Sequence, residues 1–197
     1  MRKIIVFEHL SLDGVVQAPS GKNEDVSNDF EQGGWTAPFQ HPEIGQVIRG
    51  WMQEDCALLL GRATYEQWSS YWPLHADIWP VADRAMKYVA TRHTPPIRWQ
   101  PTTYLNQPTS ELTRLKQQDG PPLHVWGSSQ LVHTLYEADL IDELRLIHYP
   151  VIVGSGKRLF PDNGMTPLTW NVTKRHTFDN GVLIAYYERD RNEKHTV

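Results

Sequence analysis

Short apolar runs and longer amphipathic ones alternate along most of this chain. "KIIVFEHLS" (3–11) is a short, β-branched run that predicts a buried strand. "CALLLG" (56–61) and "PLHVWG" (122–127) predict two more. Between the first two lies "PEIGQVIRGWMQEDC" (42–56), where Ile44, Val47, Ile48, Trp51 and Met52 recur at helical spacing behind Pro42, a residue suited to a helix start. "RATYEQWSSYWP" (62–73) begins a second helix that Pro73 must end. Residues 79–93 read as a short helix running into the strand "KYVAT", and "TTYLN" (102–106) as a further strand. "PTSELTRLKQQDGP" (108–121) reads as a helix with Thr109 or Ser110 as N-cap, Glu111 in its first turn and Gly120 past its end. "SSQLVHTLYEAD" (128–139) is the next helix, burying Leu131, Val132 and Leu135, and "DELRLIHYPVIVG" (142–154) begins as a strand.

Strands and helices alternate to about residue 149, which predicts a mostly parallel α/β sheet. The ending differs. Asp179-Asn180-Gly181 separates two apolar stretches, 168–178 and 182–190, and predicts an antiparallel hairpin at the sheet edge. Residues 12–42 break the pattern as a long Gly-, Asn-, Asp- and Pro-rich segment, and loops of that length tend to carry function. With 197 residues and no repeat or linker, residues 1–197 are expected to form one domain.

Composition narrows the function classes. A net charge of −4 gives none of the clustered basic excess expected of a nucleic-acid partner. No run approaches the roughly 18 apolar residues of a membrane span, and the start reads as a first strand instead of a signal peptide. A soluble, cytoplasmic protein is expected. Cys56 is the only cysteine, so a disulfide scaffold is excluded, and the histidines show no His-x-His or His-x-x-x-His spacing for a metal site.

Three strand ends share one design, in which a buried strand stops, a small or polar residue follows, and a helix or loop begins. They are Gly61-Arg62-Ala63-Thr64, Thr91-Arg92, and Gly127-Ser128-Ser129-Gln130. In open α/β sheets, ligands bind beyond the carboxyl ends of the strands, and N–H groups at helix starts hold phosphate. Gly127 lets backbone approach a ligand closely, while Arg62 and Arg92 are of the type that grips phosphate bidentately. Each feature alone also reads as an ordinary turn or a solvated arginine. Trp68, Tyr71 and Trp72 read as a packed core edge that, with Trp35 and Tyr149, could also wall an aromatic pocket. Lys157 and Arg158, after Gly154-Ser155-Gly156, read first as a basic surface turn and second as a phosphate-binding loop for substrate.

"LLLGRATYEQW", "KYVATR", "VWGSSQLVHTLYEADLIDEL" and the "SLDG" of residues 11–14 together resemble the dihydrofolate reductase superfamily. Within it, they are most similar to the reductase domain of bacterial riboflavin-biosynthesis enzymes and its stand-alone relatives, as is "PVIVGSGKRLFP" (150–161). The resemblance implies a three-layer αβα fold, a small-molecule substrate, NADPH as cofactor, and a homodimer. It places Gly61, Arg62 and Thr64 at the phosphates and adenosine ribose, and Thr91 and Arg92 at the 2′-phosphate. Gly127, Ser128, Ser129, Gln130 and Leu131 would wrap the pyrophosphate, and Asp13 would meet the substrate. Two departures stand out: dihydrofolate reductases have Gly-Gly where this chain has Gly127-Ser128, and their helix carboxylate falls near Gly45, with Glu43 the closest acid. The implied activity is hydride transfer from NADPH to a small heterocyclic or carbonyl-bearing acceptor. A non-catalytic nucleotide- or flavin-binding protein, and a true dihydrofolate reductase with a displaced acid, are the alternatives.

Overall fold

A computed structural model describes residues 1–93, 96–160 and 167–192. Eight strands form one sheet: β1 (Ile4–Ser11), β2 (Ala57–Gly61), β3 (Lys87–Ala90), β4 (Thr102–Leu105), β5 (Leu123–Trp126), β6 (Glu143–Tyr149), β7 (Trp170–Thr177) and β8 (Leu183–Arg189). Their spatial order is β4-β3-β2-β5-β1-β6-β8-β7. The first six in that order run parallel, and β8 and β7 pair antiparallel at one edge. Among the described residues, five α-helices connect or flank them: α1 (Pro42–Gln53), α2 (Arg62–Tyr71), α3 (Pro80–Arg84), α4 (Pro108–Gln117) and α5 (Ser129–Glu137).

Strand alternation sorts the core to the two faces of the sheet. Ile4 and Val6 of β1, with Ala57 and Leu59 of β2, pack with Leu112 and Leu115 of α4 and Leu131, Val132 and Leu135 of α5. Ile5 and Phe7 face the other way, against Ile44 and Trp51 of α1. Leu58 and Leu60 bury against Tyr65 of α2 and Val81 and Ala82 of α3. The expected helix–sheet–helix layering follows.

The local expectations hold with small corrections. Pro73 falls just after α2, inside a 3-10 turn over Trp72–His75. The N-cap of α4 is Gln107, not Thr109 or Ser110. Pro108 fits the first helical position, and the Glu111 carboxylate reaches back to accept the Gln107 N–H at 2.6 Å. The strand begun at residue 143 stops at Tyr149, before Pro150. Part of the segment 150–161 lies outside the described residues.

Residues 12–41 join β1 to α1 with only two short 3-10 turns, and a few buried residues tie the segment down. Gln17 is 3% exposed, and its amide Nε2 donates to the Asp25 and Ser27 carbonyls at 3.0 and 2.9 Å. Its Oε1 accepts the Lys157 N–H at 3.0 Å, and Lys157 Nζ meets Asp25 at 2.6 Å. Trp35 is buried beneath, donating from Nε1 to the Gln17 carbonyl at 2.8 Å. One buried amide thus ties the segment to itself and to residues 154–158.

Candidate active site

Strand register brings the carboxyl ends of the central strands together. Phe7 of β1 pairs with Trp126 of β5, and Gly61 of β2 with Ala90 of β3. Beyond these ends opens a cleft of about 830 Å³. The end of β1 (Phe7, Glu8, His9) forms its floor. One wall is the 16–27 segment, and the opposite wall is α2, the start of α5, and the aromatic side chains Trp68, Trp72, Trp79 and Trp126.

Gly127 and Ser128 form the sharp corner between β5 and α5. Both have positive φ, +77° each. For Gly127 this costs little, but for Ser128 it is a left-handed conformation that an L side chain adopts at a penalty. The first N–H groups of α5 have no carbonyl one turn back, and no side chain caps them. They open beside Gly127, Ser128, Ser129 and Gln130, all of which line the cleft. Gly61 makes the corner possible. A Cβ there would stand 2.8 Å from the Ser128 Cβ and closer still to its Oγ.

The remaining sequence-predicted residues divide. Thr64 joins the cleft lining beside Ala63. Arg62 points outward and forms an exposed i,i+4 ion pair with Glu66 at 2.9 Å. Leu131 is buried in the core under α5, so only its backbone is available to a ligand. The Thr91 hydroxyl is committed to a local turn, donating to the His93 carbonyl at 2.7 Å and accepting its N–H at 3.0 Å. Arg92 is exposed at the end of β3. Neither Thr91 nor Arg92 lines the cleft.

Asp13 lies outside the cleft as well. Its carboxylate accepts the Val153 and Gly154 N–H groups at 3.0 and 2.8 Å and the Ser11 hydroxyl at 2.7 Å. Desolvation works against the charge, but these hydrogen bonds outweigh it and hold the carboxyl down at about 2. The Arg158 guanidinium donates to the Asp13 carbonyl, so this corner clasps the first loop to residues 153–158.

Sequence reasoning missed Glu8 and His9. Glu8 is 6% exposed, and its Oε1 has no hydrogen-bond partner among the described residues. Burial, with the Glu24 carboxylate adding to it, pushes the Glu8 carboxyl from its ordinary 4.5 to about 8, despite a backbone hydrogen bond from His9. His9 Nδ1 lies 2.8 Å from the Tyr149 hydroxyl, and desolvation pushes the imidazole down to about 4, which leaves it neutral. Trp126 Nε1 is likewise buried without a partner, its ring stacked on Phe7 at 4.2 Å. The available signal was position 8 itself. It shares the inward parity of Ile4 and Val6 and sits at the ligand end of a parallel strand.

Of the aromatic candidates, Trp68 and Trp72 do wall the cleft. Trp35 and Tyr149 instead pack edge-to-face at 5.5 Å beneath the first loop. Tyr71 is exposed and stacks on His75. The side chains that α1 presents to the cleft are Ile48 and Met52, with no carboxylate between them.

Sheet order, antiparallel edge and this cleft define an α/β protein of the dihydrofolate reductase-like class. The chain belongs to the family of the RibD C-terminal domain, whose model matches residues 2–184. It is 27% identical over 192 residues to the uncharacterized protein YyaP of Bacillus subtilis (strain 168), a match covering 94% of each chain. Among solved structures it resembles a putative riboflavin biosynthesis protein from Shewanella sp. PV-4, with a TM-score of 0.64 and 21% identity, over 96% of this chain and 99% of that one. A dihydrofolate reductase from Enterococcus faecalis, complexed with NADP(H), superposes with a TM-score of 0.60 at 16% identity, over 95% of this chain and 96% of that one.

Proposed function

We propose that this protein is an NADPH-dependent reductase of a small heterocyclic or carbonyl-bearing molecule, and that the cleft holds both reactants. One observation carries the reading: the uncapped start of α5, behind two consecutive left-handed residues, opens into the cleft beside the Gly61 contact. Bare N–H groups at a helix start suit a pyrophosphate, because the unpaired donors and the helix dipole both favour an anion. The donor set therefore fits a dinucleotide. Gly127, Ser128, Ser129 and Gln130 would hold the pyrophosphate, joined by the backbone of Leu131, and Thr64 would hold the adjoining phosphate or ribose. Exposed Arg92, at the end of β3 with Thr91, is the cation available for a 2′-phosphate. Bound there, the nicotinamide supplies a hydride.

The protein's own part is to orient and to exclude water. The tryptophans, packed edge-to-face on one another, give an apolar wall for a planar acceptor, and the Gln17-tied segment closes the opposite side. Asp13 enters as a positioning residue, because its saturated carboxylate fixes the loop that ends β1. The folate alternative lacks its helix carboxylate, since α1 offers Ile48 and Met52. Exposed β7, at the sheet edge, is the surface on which two copies would pair in the expected homodimer.

Thermal unfolding with NADPH, NADH or flavin mononucleotide tests the cofactor. NADPH is expected to raise Tm; a rise with the flavin but not with NADPH would favour the flavin-binding alternative and overturn this reading. Arg92→Ala should weaken NADPH by about tenfold, the loss of one charge-assisted contact, and leave NADH unchanged. Equal weakening of both would remove Arg92 from 2′-phosphate recognition.

A further inference from the structure

Glu8 is the one carboxyl among the described residues that lines the cleft fully buried with an unpartnered oxygen. It stands one residue past Phe7, whose partner Trp126 ends the β1–β5 ladder, and it pairs with Leu146 of β6 on its other side. Gly127, just past the end of β5, has open space where a side chain would be. A buried carboxyl oxygen without a partner is costly to the fold. The cost is explained if a ligand supplies the partner.

We propose that Glu8 is the proton donor of this site, and that the substrate is a planar heterocycle presenting a C=N or C=O heteroatom to it. The inference rests on the reductase reading above and names the acceptor's chemistry. In the reduction, the acceptor carbon gains a hydride from the dihydronicotinamide, which is oxidised to the nicotinamidium. The adjoining nitrogen or oxygen gains the Glu8 proton, and the carboxylate left behind is reprotonated from solvent. Trp126 Nε1, an unpartnered polar atom on the cleft wall, offers a donor to another acceptor atom of the ring.

The surroundings favour the neutral acid. Glu24 and Asp25 face Glu8 from the first loop, and Asp25 takes up the charge of Lys157 at 2.6 Å. His9 on the same strand is neutral, and the start of α5 contributes only Ser129 and Gln130. Burial, with the Glu24 carboxylate adding to it, keeps the proton on at neutral pH, and among the described residues the one Lys or Arg on the cleft lining, Lys157, is paired with Asp25. Reduction should accordingly fall as pH rises through about 8.

The test uses the full chain, Glu8→Gln, and acridine as a planar base whose protonated and neutral forms differ in absorption. At pH 7 the infrared difference between wild type and E8Q should contain a protonated carboxyl band, which disappears on titration through about 8. Added acridine should bind wild type as the neutral base, its ring nitrogen accepting a hydrogen bond from the Glu8 acid and moving that band to lower frequency. E8Q should bind it about fivefold more weakly, because that hydrogen bond is lost or weakened. An ionised Glu8 at pH 7, absence of acridine binding, or a carboxyl band that acridine leaves unmoved would each overturn the proposal. NADPH-induced stabilisation, measured in parallel on both proteins, separates the two readings. Its loss with the acridine result intact sinks the cofactor assignment, and its presence with an ionised Glu8 sinks only the proton donor. Glu8→Asp, which withdraws the carboxyl but keeps the acid, guards against an effect of the amide alone and should restore part of the acridine binding.

Discussion

Gly61→Ala tests the corner on which the site is built. Gly61 has φ −75° and ψ 158°, an extended conformation that alanine adopts without strain. Any cost is therefore steric. The new methyl would lie 2.8 Å from the Ser128 Cβ, a clash that no Ser128 rotamer relieves. The ends of β2 and β5 must separate instead, at about 1–3 kcal/mol, the usual cost of overpacking. Ser128→Gly removes the obstacle and also the left-handed strain at φ +77°. That relief is worth about 1–2 kcal/mol, offset by roughly 0.5–1 kcal/mol for the added freedom of glycine in the unfolded chain. The double variant is therefore expected near wild-type stability, with a favourable coupling of about 1–3 kcal/mol. Urea unfolding of the four proteins measures it, and NADPH binding should weaken in G61A and recover in the double variant. If G61A costs the same in both backgrounds, to within about 0.5 kcal/mol, the contact does not govern the corner.

Stability should also report Glu8. A carboxyl raised from 4.5 to about 8 binds its proton more tightly in the folded state, so its contribution is fully present below 4.5 and is lost as pH rises towards 8. The slope is about −1.4 kcal/mol per pH unit within that window, and E8Q should flatten the urea-unfolding profile between pH 5 and 8; an unchanged slope would refute the shift. Asp13 has the opposite sign. Held at about 2, its stabilisation is present above 3.8 and is lost as pH falls through 2. Asp13→Asn should cost about 1–2 kcal/mol at pH 7 and speed hydrogen exchange at Val153 and Gly154, whereas unaltered exchange would refute the clasp.

The fold was legible because its signals are local. The apolar runs at 3–11, 56–61 and 122–127 were short and bounded by turn residues, and Asp179-Asn180-Gly181 marked its hairpin. The N-cap of α4 was misplaced because Thr109 and Ser110 have good capping side chains, while Pro108 had already fixed the first turn. The corner between β5 and α5 was legible for the same local reason: Gly127-Ser128 stands between a strand and a helix. The roles given to Asp13 and Glu8 were harder to see, since a carboxylate's chemistry depends on what surrounds it. Asp13 found three donors 140 residues away or next door, whereas Glu8 found none for its Oε1.

The sequence by itself determined the order of strands and helices, the three strand-end turns and the hairpin edge. These follow from periodicity and from turn chemistry within a few residues. Only the tertiary structure decided that Gly61 and Ser128 touch, that Gln17 binds the first loop to Lys157, and that Glu8 ends buried at the floor of a tryptophan-walled cleft. Those facts depend on register between strands far apart in the chain. Burial and the set of partners it brings are what turn an ordinary glutamate into an acid that keeps its proton at neutral pH.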